Sequence, residues 1–218
     1  MNSKTQKSSI TGPAGALEIA VDLPAGVSRG VAVIAHPHPL FGGTLDNKVV
    51  QTLARAFVQT GWTAVRFNFR GVGGRAGTHD EGRGELDDFL AVVQHVAPAG
   101  KGEGVSQAAL ALAGFSFGAF VTTHAFARLQ ASRPIDKLVL VGTSVTRSAA
   151  APIDTAAHNR TLVVHGEQDD TVLLLDVMDW ARPQALPVTV VPGAGHFFHG
   201  QLPLLKNLVV RHLASPAV

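Results

Sequence analysis

Short apolar runs recur along this chain, and most of them are followed by a stretch with helical periodicity. The runs lie at 31–35, 63–69, 108–113, 137–141, 161–164 and 188–191, and the helical patterns at 47–60, 85–96, 117–130, 172–181 and 202–213. Near-continuous apolar strands alternating with helices predict a mostly parallel sheet with helices on both faces, an α/β architecture. Before the first run, residues 9–22 alternate in polarity around Gly12-Pro13-Ala14-Gly15, which predicts an antiparallel hairpin at the edge of that sheet. Asp46 is the expected N-cap of the first helix, and Glu85 to Asp88 suit the positive end of the second. No fixed-period repeat or long linker divides the chain. Residues 1–218 are therefore read as one domain, with 1–8 expected to be flexible.

Composition narrows the chemistry. The chain has 218 residues, 46% of them hydrophobic and only 16% charged, against about 25% charged in average domains. It can fill a sizeable core and does not read as disordered. It has no Cys and no Tyr. That excludes disulfides, thiolate metal sites, a Cys nucleophile and hydride-transfer enzymes that use a Tyr acid. A formal charge of +2, with basic residues scattered as at Arg66, Arg70, Arg75 and Arg83, argues against a nucleic-acid partner. No apolar stretch reaches the roughly 18 residues of a membrane span, and the polar start has no signal-peptide pattern. A cytoplasmic protein is expected.

In open α/β sheets ligands gather beyond the carboxyl ends of the strands, and the informative residues follow the apolar runs. They are His36-Pro-His-Pro-Leu-Phe-Gly-Gly43, Arg70-Gly-Val-Gly-Gly74, Gly114-Phe-Ser-Phe-Gly118, His165-Gly-Glu-Gln-Asp-Asp170 and Gly193-Ala-Gly-His-Phe-Phe-His199. The third is the sharpest. A Ser on a tight strand-to-helix turn needs Gly on both sides to avoid clashes, and the turn lifts its hydroxyl clear of the sheet. Such a hydroxyl is a poor nucleophile until a base takes its proton and a carboxylate orients that base. The order Ser, acid, His is available: Asp169 lies 53 positions after Ser116, and His196 lies 27 after Asp169.

These five blocks, in this order from about Val31 to His212, resemble the small lidless serine hydrolases of the α/β-hydrolase superfamily. Among these, the bacterial hydrolases with His-Pro-His-Pro followed by Gly-Gly are the most similar, with dienelactone hydrolase and prolyl oligopeptidase catalytic domains as relatives. The resemblance implies Ser116 as nucleophile, Asp169 as orienting acid and His196 as general base. Asp170 competes with Asp169, and His199 with His196. Asp169 stands two positions after Glu167 of the His-Gly-Glu motif, where the family keeps its acid, and Asp170 suits the N-cap of the 172–181 helix. His196 comes straight off the last strand through Gly-Ala-Gly. For the oxyanion hole, the turn provides the Phe117 N–H and the resemblance points to the His38 N–H, with Leu40 as fallback; Pro37 and Pro39 have no N–H. The imidazoles of His36 and His38 are read as shaping their loop.

The connection from 141 to 161 holds 19 residues, too few for a folded lid. An open cleft is therefore expected, bordered by Phe41, Phe115 and Phe197, with Phe117 and Phe198 also considered; some of these should simply be core. The expected activity is hydrolysis of small acyl esters or thioesters without cofactor or metal, and the oligomeric state is open. Three other readings compete. His36-x-His38 could hold zinc, but Leu40 and Phe41 stand where a metallo-lactamase motif needs Asp and His. Gly71-Val-Gly-Gly-Arg-Ala76 fits a dinucleotide pattern, but the helix begins only near Glu85, so a loop bordering the active site is preferred. The third is a binding protein that kept the fold and lost catalysis; within catalysis, an aminopeptidase or amidase of the prolyl oligopeptidase type is the runner-up activity.

Overall fold

A computed structural model describes residues 5–74, 76–98, 108–145 and 149–215. The strands are β1 (Gln6–Gly12), β2 (Gly15–Asp22), β3 (Gly30–Ala35), β4 (Thr63–Phe67), β5 (Ala109–Phe115), β6 (Lys137–Val141), β7 (Thr161–Gly166) and β8 (Val188–Val191). The helices are α1 (Lys48–Gln59), α2 (Arg83–Val96), α3 (Phe117–Leu129), α4 (Leu174–Ala181) and α5 (Leu202–Ala214). The strands form one sheet in the order β1-β2-β4-β3-β5-β6-β7-β8. From β4 to β8 every pairing is parallel, whereas β1 and β2 pair antiparallel with each other and β2 antiparallel with β4. The expected mixed sheet with an N-terminal hairpin is what forms.

Alternation along the strands builds two cores. Ala32, Ile34, Ala111, Ala113 and Phe115 point to the face covered by α1 and α5, where Leu53, Phe57, Leu205 and Val209 meet them. Val33, Leu110, Leu112 and Leu138 point to the opposite face, under Phe89 and Val93 of α2 and Val121 and Phe126 of α3. Because β3, β5 and β6 are buried on both faces, their apolar runs are nearly continuous. The register brings Ala35 level with Gly114 and Phe115 level with Val141. The residues that follow β3, β5 and β6 therefore emerge side by side at one edge.

Three local expectations are corrected. Asn47, not Asp46, caps α1: its Oδ1 accepts from Val49 N–H at 2.9 Å and Val50 N–H at 3.4 Å. Asp46 is drawn away into ion pairs with Lys7 (3.0 Å) and Arg66 (3.3 Å). The stretch expected to be flexible is in part a strand, since Gln6, Lys7 and Ser8 pair with Val21, Ala20 and Ile19; residues 1–4 lie outside the described residues. The third concerns Asp170, which caps no helix. α4 starts at Leu174 with no side-chain cap, and the preceding turn is closed by Asp169 instead.

Candidate active site

Gly114, Ser116 and Gly118 show why the elbow reads as it does. The Ser116 backbone sits at φ 58°, ψ −119°, a conformation most non-glycine residues avoid. It is anchored by its own N–H on Val141 O at 2.9 Å. A Cβ at Gly118 would lie 2.4 Å from His36 O, and one at Gly114 would lie 2.4 Å from Gly118 O. Both neighbours must be glycine because backbone crosses backbone there. Phe117 occupies the first position of α3, whose N–H has no acceptor within the helix.

Two other strand ends converge on the hydroxyl. His196 Nε2 is 2.9 Å from Ser116 Oγ, and His196 Nδ1 is 2.7 Å from Asp169 Oδ2. The other carboxylate oxygen, Oδ1, accepts from Thr171 N–H at 3.0 Å and Val172 N–H at 2.8 Å. All three side chains are buried. Burial works against ionising Asp169, but the hydrogen bonds from His196 and Val172 N–H and the neighbouring imidazoles outweigh it, leaving the carboxyl below its usual range. Phe115 packs under the His196 ring at 4.9 Å, and Gly142 leaves room for that ring's edge.

A serine, an imidazole and a carboxylate are thus joined in that order at one edge of this sheet. Residues 29–165, more than half of the chain, match the family model described as serine aminopeptidase, S33. The chain belongs to the S33 serine hydrolase family. Among solved structures, this S33 chain is similar to a Xanthomonas campestris α/β serine hydrolase without a lid, at 34% identity and a TM-score of 0.82, covering 99% of each chain. It is also similar to an α/β serine hydrolase homologue from Coxiella burnetii, at 38% identity and a TM-score of 0.79, covering 96% of this chain and 97% of that one. A Rickettsia prowazekii protein is 29% identical over 201 residues, which is 86% of this chain and 79% of that protein. The S33 match stops at residue 165, so Asp169 and His196 lie beyond it.

Not every residue expected at the site of this S33 hydrolase reaches it. Phe41 and Phe197 are exposed at 76% and 44%, whereas Phe115 is fully buried and packs under His196. Phe198 is likewise core, and Phe117 is nearly so. His199 is exposed and touches Phe197 rather than the serine. The Leu40 N–H is taken by His38 Nδ1 at 3.3 Å, which removes the fallback oxyanion donor. Gly71 turns back through its N–H to Ala76 O at 3.2 Å and α2 begins only at Arg83, so no phosphate-cradling strand-turn-helix forms; Arg75 lies outside the described residues. Between Val141 and Thr161 the described residues hold only a short helical turn, Thr155–Arg160, and no lid. None of the described helices is long and apolar enough to cross a membrane.

His36 does shape its loop. Its Nδ1 lies 2.6 Å from Pro37 O and its Nε2 accepts from Phe69 N–H at 3.0 Å, so neither nitrogen is left to ligate a metal. Burial lowers its pKa to about 4, and burial together with Lys137 does the same for His212. In the unfolded chain both return to about 6.5. Below that pH the unfolded state binds protons that the native state refuses, so stability falls as pH drops from 6.5 towards 4. Each histidine should cost about 1 kcal/mol between pH 7 and pH 5.5, and burial of His165 acts in the same direction. We expect the thermal midpoint to fall by roughly 4–8 °C over that interval. An unchanged midpoint in melts at the two pH values would contradict this.

Sequence reasoning left several residues near the site without roles. His165 Nε2 lies 2.9 Å from Val172 O and 3.5 Å from Asp169 Oδ2, supporting the acid from behind. Beside the elbow, a cavity of about 510 Å³ is lined by His38, His79, Phe117, Phe120, His124 and Ser144. His79 and His124 lie outside any strand-end motif, and nothing in the local pattern marks them as neighbours.

Proposed function

We propose that this chain is a serine hydrolase that cleaves carboxylic ester or thioester bonds of small acyl substrates through an acyl-enzyme on Ser116. The observation that carries this reading is the continuous hydrogen-bond chain from Ser116 Oγ through His196 to Asp169. In this mechanism Ser116 O–H donates to His196 Nε2, and His196 takes the proton as Oγ attacks the carbonyl carbon. The Asp169 carboxylate holds Nδ1–H and stabilises the imidazolium. The oxyanion is met by Phe117 N–H, at the positive end of α3, and by His38 N–H from the loop after β3. The imidazolium then protonates the leaving alcohol or thiol. Water repeats the sequence on the acyl-enzyme and releases the acid.

The open site, with Phe41 and Phe197 exposed beside it, suits small acyl groups. The second reading is an aminopeptidase, favoured by the description of the matching family and by Glu81, a carboxylate on the cavity wall. Rates on nitrophenyl esters and acyl-CoAs of increasing chain length, measured beside aminoacyl anilides, separate the two. Faster turnover of the anilides would overturn the esterase reading. A fluorophosphonate probe should label the wild type and not Ser116→Ala, and a folded wild type that stays unlabelled would overturn both.

A further inference from the structure

Two loops deliver the carboxylate and the imidazole of the site, and they are fastened to each other before those side chains meet. The loop after β7 carries Asp169, and the segment after β8 carries His196. Glu167 N–H donates to Val191 O at 3.0 Å, and Gln168 N–H to Ala194 O at 2.9 Å. Gly166 packs so closely that a Cβ there would lie 2.4 Å from Ala194 O. These backbone contacts set the separation of the two loops. They leave open the orientation of the turn from Val191 to Ala194, whose tip, Pro192 and Gly193, is exposed.

That turn is closed by Ala194 N–H on Val191 O at 3.3 Å, with Pro192 and Gly193 as its central residues. Gly193 has φ 66°, and Pro followed by Gly at positive φ is the pattern of a type II turn. Types I and II differ in which way the central peptide faces, here the peptide joining Pro192 to Gly193. A planar trans peptide points its C=O and N–H in opposite directions, and side chains hold both ends of this one. Gly193 N–H donates to Glu167 Oε2 at 2.8 Å, and Gln201 Nε2 donates to Pro192 O at 3.3 Å. Flipping the peptide would break both bonds and redirect the chain that leaves the turn. His196 follows at once, inside the next turn, which Phe198 N–H closes on Gly195 O at 3.1 Å.

Resting on the reading of Asp169 and His196 as acid and base, we propose that Glu167 is a positioning residue that holds the Pro192–Gly193 peptide in the orientation that brings His196 to Asp169. Glu167 stands two residues before the acid, so one short segment both supplies the carboxylate and steers the turn that delivers the imidazole. The effect is felt at a single contact, His196 Nδ1 to Asp169 Oδ2 at 2.7 Å. Such geometry tolerates little error, since a displacement of about 1 Å can cost on the order of 10²-fold in rate. Glu167 itself is exposed, so losing its hydrogen bond should cost little stability. What it changes is direction.

Glu167→Ala should lower kcat on para-nitrophenyl acetate about tenfold and leave KM within about twofold, because the base is misaimed while the binding surface is untouched. Glu167→Gln, whose amide oxygen can accept from the same N–H, should bring kcat back to within about twofold of the wild type. Gln201→Ala frees the other end of the same peptide. It should lower kcat in the same direction, and it decides the matter if Glu167→Ala does not fold. Rates are set against the sites titrated by the fluorophosphonate probe, and thermal melts separate misalignment from unfolding. Unchanged kcat in these alanine variants, an equal loss in Glu167→Ala and Glu167→Gln, or a change confined to KM would overturn the proposal. Failure of the hydrolase reading shows separately, in a wild type that neither takes the probe nor turns over the ester, and takes this proposal with it.

Discussion

Ser116→Ala should lower ester turnover by about 10⁵–10⁶ while the protein keeps its fold, because removing the nucleophile of such a triad costs about as much as removing the whole set. The elbow does not depend on the hydroxyl for its shape. Gly114 and Gly118 permit the backbone crossing, and Ser116 N–H on Val141 O pins it. The lost Oγ hydrogen bond is to His196, which keeps its partner Asp169. Alanine at φ 58° carries a strain similar to that of serine. The variant should therefore melt within a few degrees of wild type. Turnover within tenfold of wild type, measured on purified protein by initial rates, would remove Ser116 from the mechanism.

Asp169→Asn should cost about 10⁴ in kcat, the usual consequence of presenting the wrong tautomer of the base. The carboxylate has two tasks here. Its Oδ1 closes the turn through Thr171 and Val172 N–H, and an amide oxygen can do that equally well. The amide NH₂ must then face His196 Nδ1, which becomes an acceptor and moves the imidazole proton to Nε2, opposite Ser116 Oγ. The base is lost while the turn survives. Asp170→Asn makes the control, since that side chain is exposed and bonds only its neighbour Thr171 among the described contacts. It should change kcat by less than twofold. Equal losses in the two variants would show that the wrong aspartate has been assigned to the base.

Much of this was legible in the linear chain, for a physical reason. Buried parallel strands must be apolar without interruption, so β3, β5 and β6 stand out, and the elbow glycines 114 and 118 are dictated by backbone contact that no other residue fits. What stayed hidden depended on partners distant in sequence. Asp46 looked like a cap until Arg66 and Lys7 claimed it, leaving the task to Asn47. Phe115 and Phe197 are equally aromatic, and only the sheet decides that one lies beneath His196 while the other faces outward. The Glu85–His79 pair shows the same limit. Glu85 was readable as a charge at a helix start, but its reach back to an imidazole in the preceding loop depends on how that loop folds.

The three members of the proposed triad are not equally secured. Ser116 follows β5, a seven-residue strand with a neighbour on each side. His196 follows β8, four residues long and paired only with β7 at the border of the sheet. Local opening starts where the fewest contacts hold the chain. The base therefore hangs from a border of the sheet, and its departure would leave an intact, correctly shaped serine with nothing to activate it. Catalytic competence and the folded state are then separate quantities in this molecule, and the first is bounded by the stability of a single border strand.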